Sequence, residues 1–195
     1  MRELMPWALR STVLAAALLA SALSASAATT VLNFDDLLDG VVPMNYGGLN
    51  WSLGGWTAFS APASPYTANS GAGRITTGFG ADDASSLIDF GQAVQFEGAY
   101  FAGLGGAGLS FQLFSGGTLV HQSALLDPSE TPTFLASGYA GLVDAVRISS
   151  ANHGEFVMDD LSFTAAVPEP QTYALLLSGL AVVGWMARRR RPASN

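Results

Sequence analysis

Two pairs of neighbouring aspartates are the clearest candidates for chemistry in this sequence. Asp35-Asp36 and Asp159-Asp160 stand near opposite ends of the middle part of the chain. Clustered carboxylates repel each other unless a cation lies among them, and calcium takes oxygen ligands of this kind. The four residues predict either a structural calcium site or solvated strand ends that cap nearby turns. No other cofactor is predicted.

The segment that carries the second pair has an irregular apolar pattern. Phe156 and Met158 share one parity, whereas Leu161 and Phe163 share the other. If all four side chains face the core, one residue is inserted between them and forms a β-bulge, which can aim a carboxylate away from the ladder. Because first and last strands are commonly adjacent in jelly-roll sandwiches, we expect the two aspartate pairs to lie close together.

Catalytic arrangements are only weakly represented. Glu97 and Glu155 could act as a glycosidase pair if their carboxyl groups faced each other about 5 to 10 Å apart. His121 stands in a predicted strand and His153 in a predicted turn, so they do not resemble a zinc pair. The sequence contains no cysteine, which removes thiol chemistry and disulfides. We expect no enzymatic activity.

Four aromatic residues follow one another closely in the first half of the chain: Trp51, Trp56, Phe59 and Tyr66. Exposed on one face, such a row would form a platform on which sugars stack; buried, it belongs to the core. The core interpretation is favoured for this group, because large aromatic side chains contribute most when buried.

Residues 167–195 combine three features in a fixed order. Pro168-Glu169-Pro170 interrupts regular structure, an uncharged run of fifteen residues follows from Tyr173 to Ala187, and the run ends in an arginine cluster. A transmembrane helix is predicted here, although the run is shorter than the roughly 20 residues that cross a bilayer comfortably. The stop-transfer residues that would remain on the cytoplasmic side are Arg188, Arg189, Arg190 and Arg191.

This combination resembles the PEP-CTERM sorting signal of Gram-negative bacteria. The resemblance implies recognition by exosortase, a membrane-embedded cysteine peptidase that would cut near the motif and transfer the protein onwards. It further implies a transient stay in the inner membrane and a structural or adhesive role in a biofilm or exopolysaccharide layer at the cell surface. The alternative is a glycan-binding module on a permanent single-pass anchor.

Residues 1–27 have the pattern of a secretory signal peptide. Two arginines near the start precede the apolar run from Val13 to Leu19, and Ala25-Ser26-Ala27 offers a small-x-small cleavage site. Cleavage after Ala27 is predicted, so the chain is expected to leave the cytoplasm.

The charge of the middle of the chain excludes one class of partner. Residues 29–166 hold thirteen of the 15 acidic residues and two of the 8 basic ones, a formal charge of −11. A domain of this charge repels the phosphate backbone, so nucleic-acid binding is excluded.

Residues 28–166 have the length of one domain and read as all-β. Short apolar runs alternate with Gly, Pro, Ser, Asn and Asp, which favours a jelly-roll-like antiparallel β-sandwich flanked by a signal helix and a transmembrane helix. A hairpin is predicted at Leu109–Phe114 and Thr118–Leu125, and residues 53–73 are predicted to be a long loop or covering segment. The other predicted strands are Val31–Asp35, Gly48–Leu53, Arg74–Thr77, Ser86–Phe90, Ala93–Ala102, Thr133–Ala136, Asp144–Ser149 and Glu155–Phe163.

Overall fold

The computed structural model describes residues 28–78, 80–166 and 170–189. The chain divides into two units, of which one is the compact domain Ala27–Ala166 and the other includes the helix Pro170–Arg189. The predicted signal peptide with Ala25 and Ala27 lies outside the described residues. So do Pro168, Glu169, Arg190 and Arg191 of the tail.

The domain is an antiparallel, β-sandwich-like sheet of ten strands, so the all-β prediction is confirmed, while the jelly-roll arrangement stays a prediction. Along the sheet the strand order is β2-β3-β4-β10-β5-β9-β6-β7, with β1 paired to β10 and β8 paired to β5. The strands are β1 (Thr29–Leu32), β2 (Gly40–Val41), β3 (Thr57–Phe59), β4 (Arg74–Thr76), β5 (Ile88–Gly103), β6 (Leu109–Ser115), β7 (Thr118–Gln122), β8 (Thr133–Ala136), β9 (Val143–Ser150) and β10 (Phe156–Ala165).

The core takes alternate residues from most strands. In β6, Leu109, Phe111 and Leu113 are fully buried, and β6 pairs with β7 as the predicted hairpin. Trp51 and Trp56 are 2% and 1% exposed, and their rings meet edge to face at 5.9 Å. The core interpretation of these two tryptophans is confirmed, and an exposed platform built from them is excluded.

The predicted strand Gly48–Leu53 is wrong. Only an isolated bridge between Asn50 and Asp89 forms there. The Asn50 side chain accepts the backbone N–H of Ser52 at 3.0 Å and closes a local turn, so the chain bends instead of extending. Burial of Leu49 and Trp51 produced the strand-like pattern without a strand.

Two predicted strands, at 86–90 and 93–102, are joined in the sixteen-residue β5. The pairing of β5 with β9 breaks between Asp89 and Val94, where Gly91 has a φ of +66° and donates its N–H to Asp89 at 2.8 Å. The glycine allows a left-handed kink that lets the long strand continue after it.

The second unit contains helix α1 (Pro170–Arg189). The helix begins at Pro170, a position that suits proline because the first helical residue needs no N–H partner. Leu176, Leu177 and Leu180 are at least 60% exposed. In the described part of the chain no helix is both long and apolar enough to span a membrane, and the predicted transmembrane helix is therefore not supported.

Candidate functional site

The first and last strands are neighbours, as predicted, because β1 pairs with β10 along its whole length. The predicted β-bulge is also confirmed. The pairing of β10 with β5 shifts between Asp159 and Ser162, and Asp160 has a φ of +48°. This left-handed residue aims both carboxylates at the segment that connects β3 to β4.

That segment, residues 60–73, is here called the covering loop. Loops between paired strands usually have 2 to 5 residues, and longer ones are ordered only where something holds them. Asp159 Oδ2 accepts the backbone N–H groups of Asn69 and Ser70 at 2.8 and 2.9 Å. Asp160 accepts the side chains of the same two residues at 2.7 and 2.9 Å.

Asp35 holds the other end of the covering loop. Its Oδ1 accepts the N–H groups of Ala72 and Gly73 at 2.8 and 2.7 Å, and these hydrogen bonds lower the pKa of Asp35. A Cβ on Gly73 would collide with the backbone of Phe34, so the close approach requires glycine. Asp36 instead accepts the Tyr46 hydroxyl at 2.6 Å.

Three of the four predicted calcium ligands thus anchor the covering loop through hydrogen bonds. Within the described residues no group of three or more His, Asp or Glu side chains is arranged to hold a metal ion. The contacts match the alternative stated for these acids, that they cap turns. Calcium binding by Asp35, Asp36, Asp159 and Asp160 stays a prediction.

Asp159 is 2% exposed, and burial raises its pKa to about 6. The neighbouring Asp160 carboxylate adds to the rise, whereas the N–H groups of Ser70, Asp160 and Asn69 oppose it. Burial disfavours the ionised form more than these donors favour it.

Beneath the covering loop lies a cavity of about 240 Å³ on the outer face of β3 and β4. In these strands Ala58 and Ile75 face the core, so their neighbours point outward. The outward pairs Thr57–Thr76 and Phe59–Arg74 form the floor, Tyr66 and Ala63 of the covering loop form one wall, and Val157 of β10 closes another side.

Arg74 stabilises this arrangement from below. Its guanidinium donates to the carbonyls of Ala61 and Ala72 in the covering loop at 2.6 and 3.0 Å, and to Phe59 at 3.4 Å. The residue is 3% exposed, and burial lowers the pKa of its guanidinium while Asp39 and Asp159 oppose that effect. Nε has no hydrogen-bond partner.

A second polar cluster was not anticipated from the sequence. His153 Nε2 lies 2.9 Å from Asp83 Oδ1, and His153 Nδ1 lies 3.2 Å from the Thr77 hydroxyl. The order carboxylate, imidazole, hydroxyl resembles a nucleophile triad. Thr77 is only 6% exposed, however, and its hydroxyl also donates to the His153 carbonyl at 3.3 Å. These contacts connect the residue after β4 with the turn that precedes β10.

Neither residue of the hypothetical glycosidase pair is assigned a catalytic role. The Glu97 carboxylate accepts the hydroxyls of Thr29 and Thr164 at 2.9 and 2.8 Å, tying β1, β5 and β10 together. Glu155 closes a short 3₁₀ turn before β10. The absence of enzymatic activity stays a prediction.

Comparison with known proteins identifies the tail. Residues 166–191 match the family model of the PEP-CTERM protein-sorting motif, which includes Pro168, Glu169, Pro170 and the arginine cluster. The match implies export and recognition by exosortase as the processing partner.

Comparison with curated proteins gives no match. One similar solved structure is that of the CBM22-1–GH10 modules of Clostridium thermocellum endo-1,4-β-D-xylanase 10B, complexed with xylohexaose. The identity is 14% and the TM-score 0.39, over 74% of this chain and 28% of that chain.

Proposed function

We propose that this chain, sorted through its PEP-CTERM motif, delivers a non-catalytic β-sandwich domain to the cell surface or extracellular matrix. The observation that carries the proposal is the sorting motif at residues 166–191. In this account the domain is structural or adhesive within a biofilm or exopolysaccharide layer, and exosortase removes the tail after a transient stay at the inner membrane.

Two features of the molecule support this role. The domain is compact and its formal charge of −11 suits solubility outside the cell. Helix α1 exposes Leu176, Leu177 and Leu180, which suits recognition by an enzyme embedded in the membrane.

The test is the intact mass of the protein recovered from the surface and medium of its native host. We expect a species that begins near Ala28 and ends near Pro168-Glu169-Pro170; any excess mass would reveal an attached group. Replacing these three motif residues by alanine should leave the tail uncleaved, whereas Pro192→Ala, outside the matched segment, should be processed normally. A wild-type mass that retains residues 171–195 would establish a permanent anchor and refute the proposal.

A further inference from the structure

We propose that the cavity under the covering loop binds one neutral sugar ring. A sugar ligand would explain how the domain adheres to an exopolysaccharide layer, so this inference rests on the adhesive role in the proposed function. It does not use the tryptophans, which are core residues.

The walls of the cavity have the composition of a site for a ring with an apolar face. Phe59 is 41% exposed although it stands on the floor, and Tyr66 of the covering loop adds a second aromatic ring. Small-molecule sites combine aromatic walls with a few placed polar groups. The C–H face of a sugar ring packs on aromatic rings in the same way as other apolar groups.

Polar groups without partners stand among these walls. Among the described residues, neither the Thr57 hydroxyl nor the Tyr66 hydroxyl makes a hydrogen bond, and both residues line the cavity. Hydroxyl groups of a ligand can both donate and accept, so they can pair with both of these protein hydroxyls.

The charge and the size of the cavity restrict which ligands fit it. The terminal nitrogens of Arg74 are already used by carbonyls of the covering loop and Phe59, and none of the residues that line the cavity is acidic. A domain with a formal charge of −11 also repels anions, so a neutral ligand is favoured over a uronic acid. A volume of about 240 Å³ is below the roughly 300 Å³ at which drug-sized pockets begin, which suits a single ring.

The test is an NMR titration of the purified full chain in buffer free of sugars and glycerol. The probes are the methyl glycosides of glucose, galactose, mannose and xylose, with glucuronate and cyclohexanol for comparison. We expect at least one methyl glycoside to bind with a Kd on the order of 1 mM, as for other small ligands with few contacts. Phe59→Ala should weaken binding about 10-fold and Tyr66→Phe about 5-fold.

Phe134→Ala is the matched control, because Phe134 is 40% exposed but packs on Tyr100, away from the residues that line the cavity. It should leave the Kd unchanged. Tyr66→Phe alters one oxygen and keeps the test valid if Phe59→Ala unfolds the domain. The proposal is overturned if no methyl glycoside binds, if glucuronate or cyclohexanol binds at least as tightly, or if Phe134→Ala weakens binding as much as Tyr66→Phe. None of these results would affect the sorting proposal, which the tail mass tests separately.

Discussion

Asp83 and Asp159 have similar structural roles but different surroundings. Each accepts several hydrogen bonds and holds a loop or turn against the sheet: Asp83 binds Ser149, Ser150 and His153, and Asp159 binds the covering loop. The Asp83 side chain is 38% exposed and faces an imidazole, whereas Asp159 is 2% exposed and stands next to another carboxylate.

The two pKa values move in opposite directions as a result. Burial raises the pKa of Asp83 in part, but hydrogen bonds from Ser149, His153 and Ser150 hold it below its usual value. For Asp159 burial prevails and the pKa rises to about 6. The number of donors alone therefore does not set the charge state. The presence of a basic partner and of water decides it.

The largest expected effect is a pH dependence of stability with opposite signs at the two sites. The pKa of Asp159 is higher in the folded protein than in the unfolded chain. Its contribution to the free energy of unfolding is therefore fully present below pH 3.8 and is lost as pH rises through 6. Between pH 3.8 and 6.5 the free energy of unfolding of the wild type should fall by about 2 to 3 kcal/mol relative to Asp159→Asn. Urea unfolding of the full chain at several pH values measures the difference.

Asp83→Asn is the control for this experiment. The pKa of Asp83 is lower in the folded protein than in the unfolded chain. Its contribution to the free energy of unfolding is therefore present above pH 3.8 and is lost as pH falls below that value. The difference between wild type and Asp83→Asn should shrink as pH falls below 3.8, the opposite of the trend expected at Asp159. A flat curve for Asp159→Asn between pH 3.8 and 6.5 would show that the donors around Asp159 fully offset its burial.

A smaller difference is expected when each carboxylate is deleted at pH 7. Asp159→Ala removes a buried carboxylate, leaves the part-buried N–H groups of Asn69 and Ser70 without their acceptor, and should cost about 2 kcal/mol. Asp83→Ala should cost about 1 kcal/mol, because the Asp83 side chain is 38% exposed and its hydrogen bonds already compete with water. Chemical denaturation measures both losses of unfolding free energy. Equal losses for Asp159→Ala and Asp83→Ala would show that the difference in burial between the two carboxylates does not affect stability.

The position of the acidic site could be predicted from the sequence, but its partners could not. The parity change between Met158 and Leu161 identified the bulge, because apolar side chains on both sides of it must reach one core. The groups that the carboxylates bind are mainly backbone N–H groups of the covering loop, which every residue except proline carries. No residue type marks them in advance.

The cavity could not be predicted from the sequence for a related reason. Its floor includes β3, which has only three residues and falls inside the stretch predicted as a loop or covering segment. The core prediction holds for Trp51 and Trp56 but is wrong for Phe59, which is 41% exposed, because spacing along the chain does not distinguish the two faces of so short a strand. Arg74 likewise gave no sign that it would be buried among carbonyls.

The smallest expected effect concerns calcium, and it separates the two roles considered for the aspartate pairs. If hydrogen bonding to the covering loop is their main role, the Tm of the full chain should differ by less than about 1 °C between millimolar calcium and EDTA, because mass action stabilises only a protein that binds the ion. Calcium binding would raise the Tm, and it would have to draw Asp159 and Asp160 away from Asn69 and Ser70. A calcium-dependent rise in Tm that disappears in Asp160→Asn would therefore assign these carboxylates to a metal site, and the covering loop would need another anchor.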